Sequence, residues 1–562
     1  MGAAGAFLWI GCAALGDNPL TRWVSSLYRE ETMTLRALLD DLRTAGELTE
    51  IKAPVDIRHI ATLVDQAKTA LLFRDVIGYE MPVLSGLIKS RERIAIAMGC
   101  RFSEAEARLR QGMDRPIEPV IVQSGPAREI VRTGDQVDLF ALPIPLFSVY
   151  DGGPMITAGV TLARDPEYGL NAGIYRFQVK EQNLTGIDIV TPNNLRKFAE
   201  RAYAAGRPLP ISINIGTHPF ELIASTYKAP IGTSEMAIAG GLRGAPVALT
   251  PCETVDALAI ADAEIVLEAE ILPTGWTKPE GRFGEFTRLM GGLHWNPQVR
   301  VKAIAMRRDA IYYALHMPWE NIWVSAPIYE AALRRVLKEA GVQVTAINVT
   351  PGGCCHWHAV IAIRKHPGDG KNAILAALSV ADMKHVVIVD DDIDVFDGTE
   401  VEWAISTRVQ ADRDVVIISD ARSKPLDPSL APPRSHGHIP TTAKCGVDAT
   451  IPENVPRERY ERITYAYAGV VKLEDVLANG VERTSEAAPG VDVAALAEQI
   501  RAVLETTPLY FAEIAERFPN AGFSSVTRAL GKLHAAQALW QDPVGRHCLA
   551  GSKFAASPPS LA

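Results

Sequence analysis

The sequence predicts a multidomain fold that combines an α+β region with an α/β region. Its 562 residues are enough for about three or four domains at a typical size of roughly 150 residues. Short β-like stretches separated by turn residues fill the middle of the chain, and strands alternate with helices after residue 326. Hydrophobic residues make up 48% and charged residues 22%, which excludes a disordered or collagen-like chain.

Charge and cysteine content narrow the functional classes. The chain carries 57 basic and 66 acidic side chains, a formal net charge of −9, which argues against a general binder of nucleic acid or anionic membranes. Its 7 cysteines are sparse and odd in number, so they do not indicate a disulfide framework. We therefore expect a reducing, cytoplasmic location without membrane or nucleic-acid partners.

Residues 1–32 are predicted to be an N-terminal extension. The longest uncharged run near the start, residues 2–16, is shorter than the roughly 20 residues that span a bilayer. A secretory signal would place basic residues before this run, but the first basic residue, Arg22, follows it. The segment is therefore interpreted as peripheral, and Met33 is an alternative natural start.

Residues 33–125 are predicted to form an N-terminal α/β domain. An amphipathic helix is expected to begin at Thr34, which can cap it, and to end at Gly46. Its apolar positions recur with helical spacing at Leu35, Leu38, Leu39 and Leu42. Short apolar runs at 51–55 and 83–88 follow this helix.

Residues 126–325 are predicted to form an α+β domain built on a largely antiparallel sheet or split barrel. Four stretches have β-like composition and are separated by turn residues: 155–163, 173–180, 209–216 and 263–272. Two helical patterns are interleaved with them, near 193–205 and 253–262.

Residues 326–484 are predicted to form a C-terminal α/β domain. Strands at VTAINVT, HAVIAIRK and HVVIVD alternate with a helix at KNAILAALSV. This alternation is typical of a layer in which helices cover a sheet. Residues 420–440 contain five prolines and few large apolar residues, so we expect a long loop there.

Residues 490–562 are predicted to form a small winged-helix-like domain. Helical stretches at VAALAEQIRAVL, LYFAEIAERF and SSVTRALGKLHAAQ precede a hairpin around Asp542. The domain carries six basic and six acidic side chains, whereas a DNA-reading module usually shows a basic face. A structural or subunit-contact role is therefore favoured, with DNA binding as the alternative.

Three further motifs are weak functional signals. HPGDGKN at 366–372 resembles a phosphate loop, but its glycine spacing is wrong and Asn372 replaces the magnesium-binding Ser or Thr. Cys and His side chains crowd within 354–358, yet no second pair lies at zinc spacing, which favours structural or pocket-lining roles. The acidic run 390–392 ends a predicted strand and is compatible with either cation binding or local architecture.

The most informative stretch is EGRFGE, in which two glycines lie between Glu280 and Glu285 and let backbone approach a ligand closely. A second cluster, NAGIYR, contains Asn171 and Arg176. A third cluster contains Ser225, Thr226, Ser234 and Glu235. Each cluster alone has an ordinary structural explanation, whereas their combination and order are specific.

Seven motifs follow one another between residues 33 and 455: MTLRALLDDLRTAGEL, NAGIYRFQ, SEMAIAGGLRGAPV, AEIVLEAEILP, EGRFGE, VIVDDDIDVFDGTEVEWAISTR and AKCGVDAT. Seven ordered matches are hard to obtain by chance. On these motifs the chain resembles the UbiD family of decarboxylases that use prenylated FMN. The resemblance implies a central split β-barrel that binds the flavin, flanked by α/β domains.

The resemblance also implies catalytic residues and metal ligands by motif position. The family's Glu-Arg-Glu trio falls on Glu280, Arg176 and Glu285. The ligands of its divalent ion, Mn²⁺ or Mg²⁺, fall on Asn171, Asp188 and Glu235. The family has a histidine where this chain has Asp188, and hard ions also accept carboxylate oxygen. K⁺ is a further ion that the resemblance suggests.

Cofactor contacts implied by the resemblance fall on Asn171, Ile174, Arg176, Gln178, Ser225, Thr226, Glu235 and Lys444. The implied cofactor is prenylated FMN, supplied by a flavin prenyltransferase. The implied assembly is a homo-oligomer, at least a dimer.

The resemblance implies a non-oxidative, reversible decarboxylase of an aromatic, heteroaromatic or α,β-unsaturated carboxylic acid, an aryl-CoA included. The prenylated flavin would be a covalent electron sink for the charge left when CO₂ departs. The alternative is a non-catalytic flavin-binding protein, or a DNA-binding regulator that acts through the winged-helix-like domain. The intact trio favours the enzyme.

Within this assignment, Arg176 is expected to orient a substrate carboxylate by a bidentate pair. Glu280, beside Arg176, is expected to have a lowered pKa and to stay ionised. Glu285, if it is drier and unpaired, is expected to have a raised pKa that suits a proton donor. The segment HMPWENIWVSAPIYE, with His356 and His358, is a candidate lining for an aromatic substrate pocket, although aromatic residues are equally good core.

Overall fold

The fold of the chain comes from a computed structural model. The structure describes residues 33–557 apart from 102–103, 190–192, 228–230, 423, 425, 431–440, 467–470, 475–476 and 478–489. The predicted extension 1–32 and the second half of the proline-rich segment 420–440 lie outside the described residues. The chain divides into two compact units, 1–455 and 456–562.

The first unit begins with the predicted helix, α1 (Leu35–Thr44). The side-chain oxygen of Thr34 accepts a hydrogen bond from the Ala37 N–H and caps the helix. Its leucines are buried, and Gly46 follows at φ 75°, a left-handed conformation that suits glycine. The next elements are β1 (Leu48–Ile51), α2 (Ile60–Gln66), β2 (Ala70–Phe73), β3 (Val83–Ser85), α3 (Arg91–Ala97) and α4 (Ala105–Asp114).

The central region is rich in strands. These are β4 (Val120–Ile121), β5 (Ile130–Thr133), β6 (Met155–Asp165), β7 (Gly169–Glu181), β8 (Leu184–Gly186), β9 (Leu209–Ile215), β10 (Ala248–Pro251), β11 (Leu258–Ile260), β12 (Ile265–Ile271), β13 (Lys278–Glu280), β14 (His294–Asn296), β15 (Gln298–Met306) and β16 (Tyr312–Ala314). Its α-helices are α5 (Asn194–Ala204), α6 (Pro219–Thr226) and α7 (Glu235–Arg243). The predicted helix near 193–205 is therefore confirmed.

Six of these strands close into a barrel. Their order is β12-β9-β6-β7-β8-β15, and β15 pairs back with β12. All the pairs in the ring are antiparallel, which confirms the predicted split-barrel architecture. The helix expected near 253–262 is wrong, because this segment contains β11, which pairs with β10. The Ile260 N–H also donates to Asn214 Oδ1, which ties β11 to the barrel strand β9.

The remainder of the first unit forms the predicted α/β layer. Its elements are α8 (Trp319–Glu339), β17 (Gln343–Val349), β18 (His358–Arg364), α9 (Asp369–Leu378), β19 (His385–Asp390), α10 (Gly398–Arg408), α11 (Ala411–Asp414), β20 (Val415–Arg422) and β21 (Thr441–Ala449). The sheet order is β17-β18-β19-β21-β20. A second, smaller sheet has the order β1-β2-β3-β16, so the chain returns to its N-terminal region after the barrel.

The second unit contains the predicted helices and hairpin. These are α12 (Val493–Leu504), α13 (Phe511–Arg517), α14 (Phe523–Ala535), β22 (Leu539–Gln541) and β23 (His547–Leu549). Apolar side chains of the helices, such as Ile500, Ile514 and Val526, form a core of their own.

Short 3₁₀ turns occur in both units, at Ile57–His59, Pro126–Arg128, Gly134–Gln136, Leu139–Ala141, Arg457–Tyr460 and Pro519–Ala521. In the part of the chain that the structure describes, no helix is both long and apolar enough to cross a membrane.

Candidate active site

Arg176 contacts both glutamates of the EGRFGE segment. Arg176 lies on β7, and Glu280 is the last residue of β13, which forms a hairpin with β14. Arg176 Nε donates to Glu280 Oε1 at 3.2 Å, and Arg176 Nη1 donates to Glu285 Oε1 at 2.8 Å. The structure therefore brings the three residues of the predicted trio together, and their catalytic role stays a prediction.

Glu280 is the most enclosed member of this group. Its side chain is 0% exposed, and Asn296 Nδ2 donates to its Oε2 at 2.8 Å. Burial raises the pKa of Glu280 above its ordinary value, although Arg176 and Asn296 act in the opposite direction. The expected lowering of this pKa is therefore wrong, because the loss of hydration outweighs the neighbouring guanidinium.

Glu285 is more accessible than Glu280 and is paired, so it is not the drier of the two carboxylates. Its side chain is 13% exposed, and Arg176 donates to it. The Glu285 N–H donates to the carbonyl of Leu289 at 2.9 Å, which holds the loop. A Cβ on Gly291 would lie 2.7 Å from Glu285 Oε1, so the loop packs closely on this carboxylate. Of the two glutamates, Glu285 is the one that a bound ligand could reach.

Two further side chains complete the surroundings of the guanidinium. Arg176 Nη2 lies 2.5 Å from Asp188 Oδ2, and His294 Nδ1 lies 3.0 Å from the same oxygen. The hydrogen bond to Asp188 raises the pKa of His294. Sequence reasoning missed His294, which lies beyond EGRFGE and returns to the site because it pairs with Glu280 across the β13–β14 hairpin.

Close backbone contacts fix the start of the EGRFGE segment. A Cβ on Gly152 would lie 2.3 Å from the Cα of Gly281, so the two chain segments can approach only as glycines. Gln178 joins the same segments, since its Nε2 donates to the Gly152 carbonyl at 2.6 Å and its Oε1 accepts from the Gly281 N–H at 3.1 Å. Both ends of this amide therefore hold the protein main chain, and cofactor contact by Gln178 stays a prediction.

A second polar cluster lies at the beginning of β7. Asn171 is buried, and its Nδ2 has no partner among the described residues. Glu235, the first residue of α7, is also buried and accepts from the Ala172 N–H at 2.9 Å. Burial raises the pKa of Glu235 to about 7, and no basic side chain of the described chain pairs with it. This carboxylate is suited to a cation.

The predicted contacts at Ser225 and Thr226 lie at the end of α6, a helix that also contacts β7. Ser225 Oγ is buried and has no hydrogen-bond partner within the described segments, whereas Thr226 Oγ1 donates to the Ile223 carbonyl at 2.8 Å. Ile174, which lies on β7, is half-buried. Unpartnered polar atoms at Ser225 and in the Asn171 amide are the kind of groups that a polar ligand would satisfy.

Lys444 has a structural role in the α/β layer. It lies on β21 and is buried. Its Nζ donates to the carbonyls of Leu378, Val380 and Ala381 at 2.7, 3.1 and 3.3 Å, so three acceptors match the three donors of the ammonium group. These carbonyls lie at the end of α9. Cofactor contact by Lys444 stays a prediction.

Two of the weaker motifs are built into the architecture. Arg408, which is buried, donates to Asp390 at 3.0 Å and to Asp392 at 2.7 Å, so the acidic run holds α10 on the sheet. Residues 354–355 form a turn before β18 with φ values of 58° and 51°. Among the described residues, no three His, Cys, Asp or Glu side chains are grouped as a metal site.

Aromatic side chains surround Phe286, the residue after Glu285. We call Phe286, Tyr329, His356, Trp357 and Lys424 the Phe286 cluster. The Phe286 ring centroid lies 4.3 Å from that of His356 and 5.4 Å from that of Trp357, and Lys424 Nζ lies 4.3 Å from it. Tyr329 extends the cluster, with its ring centroid 4.7 Å from that of His356. Phe286 and His356 are buried, and the cluster packs with the core of the α/β layer.

Family models match three consecutive parts of the chain. They describe the N-terminal domain (39–113), the Rift-related domain (120–318) and the C-terminal domain (322–449) of 3-octaprenyl-4-hydroxybenzoate carboxy-lyase, UbiD. The chain belongs to the UbiD family. The predicted resemblance, the UbiD-like fold and the assignment as a carboxy-lyase are thereby confirmed.

Relatives of known identity support the family assignment over most of the chain. Anhydromevalonate phosphate decarboxylase of Methanothermobacter thermautotrophicus is 35% identical over 434 residues, 76% of this chain and 99% of that protein. The UbiD-class enzyme HmfF of Pelotomaculum thermopropionicum, solved with FMN, is 40% identical with a TM-score of 0.74, covering 79% of this chain and 99% of HmfF. An evolved dimeric form of HmfF was solved with prFMN, at 37% identity, TM-score 0.72, and 79% and 100% coverage.

An aromatic-acid enzyme is a further structural relative. The 3,4-dihydroxybenzoic acid decarboxylase of Enterobacter cloacae is 28% identical with a TM-score of 0.72. The match covers 79% of this chain and 98% of that enzyme. Two of these relatives are thus named as decarboxylases, one of anhydromevalonate phosphate and one of 3,4-dihydroxybenzoic acid.

Proposed function

We propose that this UbiD-family protein is a non-oxidative, reversible decarboxylase that uses prenylated FMN and acts on an aromatic, heteroaromatic or α,β-unsaturated acid. The observation that carries the proposal is the guanidinium of Arg176 held between Glu280 and Glu285. A positive group that binds a carboxylate, beside a carboxyl group that can return a proton, matches what decarboxylation requires. A cytoplasmic location and a homo-oligomer belong to the same proposal, and one HmfF structure is dimeric.

The polar cluster at the start of β7 fits a phosphate-bearing flavin and its metal ion. Three features of the described residues support this fit. Asn171 and Ser225 each have a buried polar atom without a hydrogen-bond partner, and Glu235 has a buried carboxylate. Asn171 and Glu235 would hold Mn²⁺ or Mg²⁺, which accept amide and carboxylate oxygen. When bound, prenylated FMN supplies the electron sink that side chains lack. K⁺ as a further ion and a prenyltransferase as the cofactor source complete this proposal.

The three residues of the trio would have different roles, and the exposure of the two glutamates distinguishes theirs. Arg176 would bind and orient the substrate carboxylate through a charge-assisted pair. Glu280, fully buried and bonded to Asn296, would hold Arg176 in place and stay out of reach of the substrate. Glu285, which is 13% exposed, would deliver the proton to the carbon that has lost CO₂. Acid–base positioning of this kind contributes about 10²–10⁴-fold to a rate.

The Phe286 cluster favours a flat, aromatic substrate. Tyr329 and Trp357, the partly buried aromatic side chains of the cluster, would offer stacking and edge contacts to a ring. A second candidate is a phosphorylated α,β-unsaturated acid, favoured by the curated relative named for anhydromevalonate phosphate. Two cations that would pair with a phosphate are Lys424 of the cluster and Arg288, whose guanidinium lies 5.1 Å from the Trp319 ring centroid.

The test is a substrate panel on protein co-produced with a flavin prenyltransferase. Released cofactor is identified by mass, and CO₂ release is measured with hydroxybenzoates, furoates, cinnamate and a phosphorylated enoic acid. We expect turnover of at least one aromatic or heteroaromatic acid by protein that contains prenylated FMN, and none by protein that contains FMN alone. Fully loaded protein that releases no CO₂ from any acid would contradict the proposal.

DNA binding through the winged-helix-like domain, residues 490–562, is the alternative function. The six basic and six acidic side chains of this domain favour a structural or subunit-contact role instead. A gel-shift assay with the full chain at low salt separates the two functions. We expect no retardation of duplex DNA, whereas binding that weakens as salt is raised would establish a nucleic-acid role.

A further inference from the structure

Asp188 belongs to the surroundings of Arg176. Its Oδ2 lies 2.5 Å from Arg176 Nη2 and 3.0 Å from His294 Nδ1. Its N–H donates to the main-chain carbonyl of Arg176 at 3.3 Å, so backbone and side chain both place it there.

The Asn171 end of β7 is too far away for Asp188 to share a metal ion with it. Arg176 and Asn171 are five positions apart on β7 (176 − 171 = 5), and a strand rises about 3.3 Å per residue. Their backbones are therefore about 16 Å apart along the strand. Oxygen ligands of Mg²⁺ or Ca²⁺ lie within roughly 2.0–2.6 Å of the ion.

We propose that Asp188 is not a ligand of the metal ion, and that Asp188 and His294 instead position Arg176 for the reaction under "Proposed function", on which this inference rests. Each nitrogen of the guanidinium has its own carboxylate: Nε has Glu280, Nη1 has Glu285 and Nη2 has Asp188. Because each nitrogen of this planar group has its own acceptor, the three carboxylates together fix the orientation of the guanidinium.

His294 acts through Asp188. Since Asp188 Oδ2 is an acceptor, the His294 Nδ1 that lies 3.0 Å from it is the donor of that hydrogen bond. The 3.2 Å approach of the same Nδ1 to Arg176 Nη2 is then a packing contact, because a nitrogen that carries the proton cannot also accept one. His294 would therefore hold Asp188, and Asp188 would hold the guanidinium. Both residues are positioning residues in this proposal, because they act through the guanidinium of Arg176 and not on the reacting atoms.

Metal content tests the first half of the inference. Asp188→Asn and Glu235→Gln each replace a carboxylate with an amide of the same shape, in the full chain co-produced with the prenyltransferase and supplied with Mn²⁺. We expect Asp188→Asn to retain the wild-type ratio of Mn²⁺ to flavin, and Glu235→Gln to lose at least tenfold in Mn²⁺ affinity. Loss of Mn²⁺ by Asp188→Asn equal to that of Glu235→Gln would overturn the inference.

Kinetics, normalised to bound flavin, test the second half. We expect Asp188→Asn and His294→Gln to lower kcat about 10–100-fold with little change in KM, because a misplaced reacting group costs about this much while the guanidinium charge remains. The double variant should be no slower than Asp188→Asn, since His294 acts through Asp188. Unchanged kcat in both single variants, or multiplied losses in the double variant, would overturn the pairing.

The two measurements also separate this inference from the proposed function. If the wild-type protein releases no CO₂ from any acid, the proposed function fails, while the Mn²⁺ comparison still decides whether Asp188 is a ligand. If Asp188→Asn does not fold, His294→Gln leaves Asp188 in place and carries the kinetic test by itself. Full kcat in that variant would overturn the inference.

Discussion

Substitution of Gly186 by alanine is a sharp test of how closely the site is packed. Gly186 ends β8, and a Cβ there would lie 2.7 Å from Glu280 Oε2 and 3.3 Å from Lys180 Cε. Ordinary van der Waals contact starts at 3.4 Å, so the carboxylate must retreat by about 0.7 Å (3.4 − 2.7). Glu280 is fully buried and bonded to Arg176 and Asn296, so its movement displaces the guanidinium.

The expected result for Gly186→Ala is a fall in kcat of roughly 10–100-fold, because a displacement of about 1 Å at a reacting group costs about 10²-fold. Flavin and metal content should stay at the wild-type level, since the polar cluster at Asn171 is not touched. The matched control is Gly292→Ala, where an added Cβ meets nothing within 4 Å and activity should not change. Full activity of Gly186→Ala in steady-state assays would refute the proposed coupling of Glu280 to Arg176.

Two further predictions concern Glu285 and His316. Glu285→Gln removes the proton donor, so turnover should be abolished while absorbance shows that flavin remains bound; wild-type turnover would remove the assigned role. His316 is 2% exposed, both its ring nitrogens lack hydrogen-bond partners among the described residues, and burial lowers its pKa to about 4. Between about pH 4 and 6.5 the unfolded state then binds more protons, so stability should fall as the pH drops through this window, by up to about 3 kcal/mol. Thermal unfolding at pH 7 and pH 5 should show a smaller pH dependence for His316→Phe than for the wild type, and equal dependence would contradict this explanation.

The parts of the fold that sequence predicted are those set by local patterns. Thr34 caps α1 because a side-chain oxygen at that position reaches the N–H of Ala37, a relation between close neighbours. The barrel strands β6, β7, β9 and β12 are apolar runs separated by turns, which is a local signal as well. The helix expected at 253–262 failed because pairing with β10 decided the structure there.

The parts of the site that sequence could not predict depend on contacts between distant segments. His294 reaches Arg176 only because β14 folds back on β13. The pKa of Glu280 is raised because the fold buries its side chain. The motif shows the pair with Arg176, which suggested a lowered pKa, but it does not show the burial. Motif position located Asp188, but only the fold shows which charged group it contacts.

The most direct measurement of the central claim is decarboxylation in D₂O by the protein that carries prenylated FMN. If Arg176, held by Glu280, binds the acid and Glu285 returns a proton, the product should contain one deuteron at the carbon that lost CO₂, in a 1:1 ratio with the CO₂ released and without oxygen consumption. CO₂ release that consumes oxygen, or that leaves the carbon without deuterium, would contradict non-oxidative decarboxylation at this site.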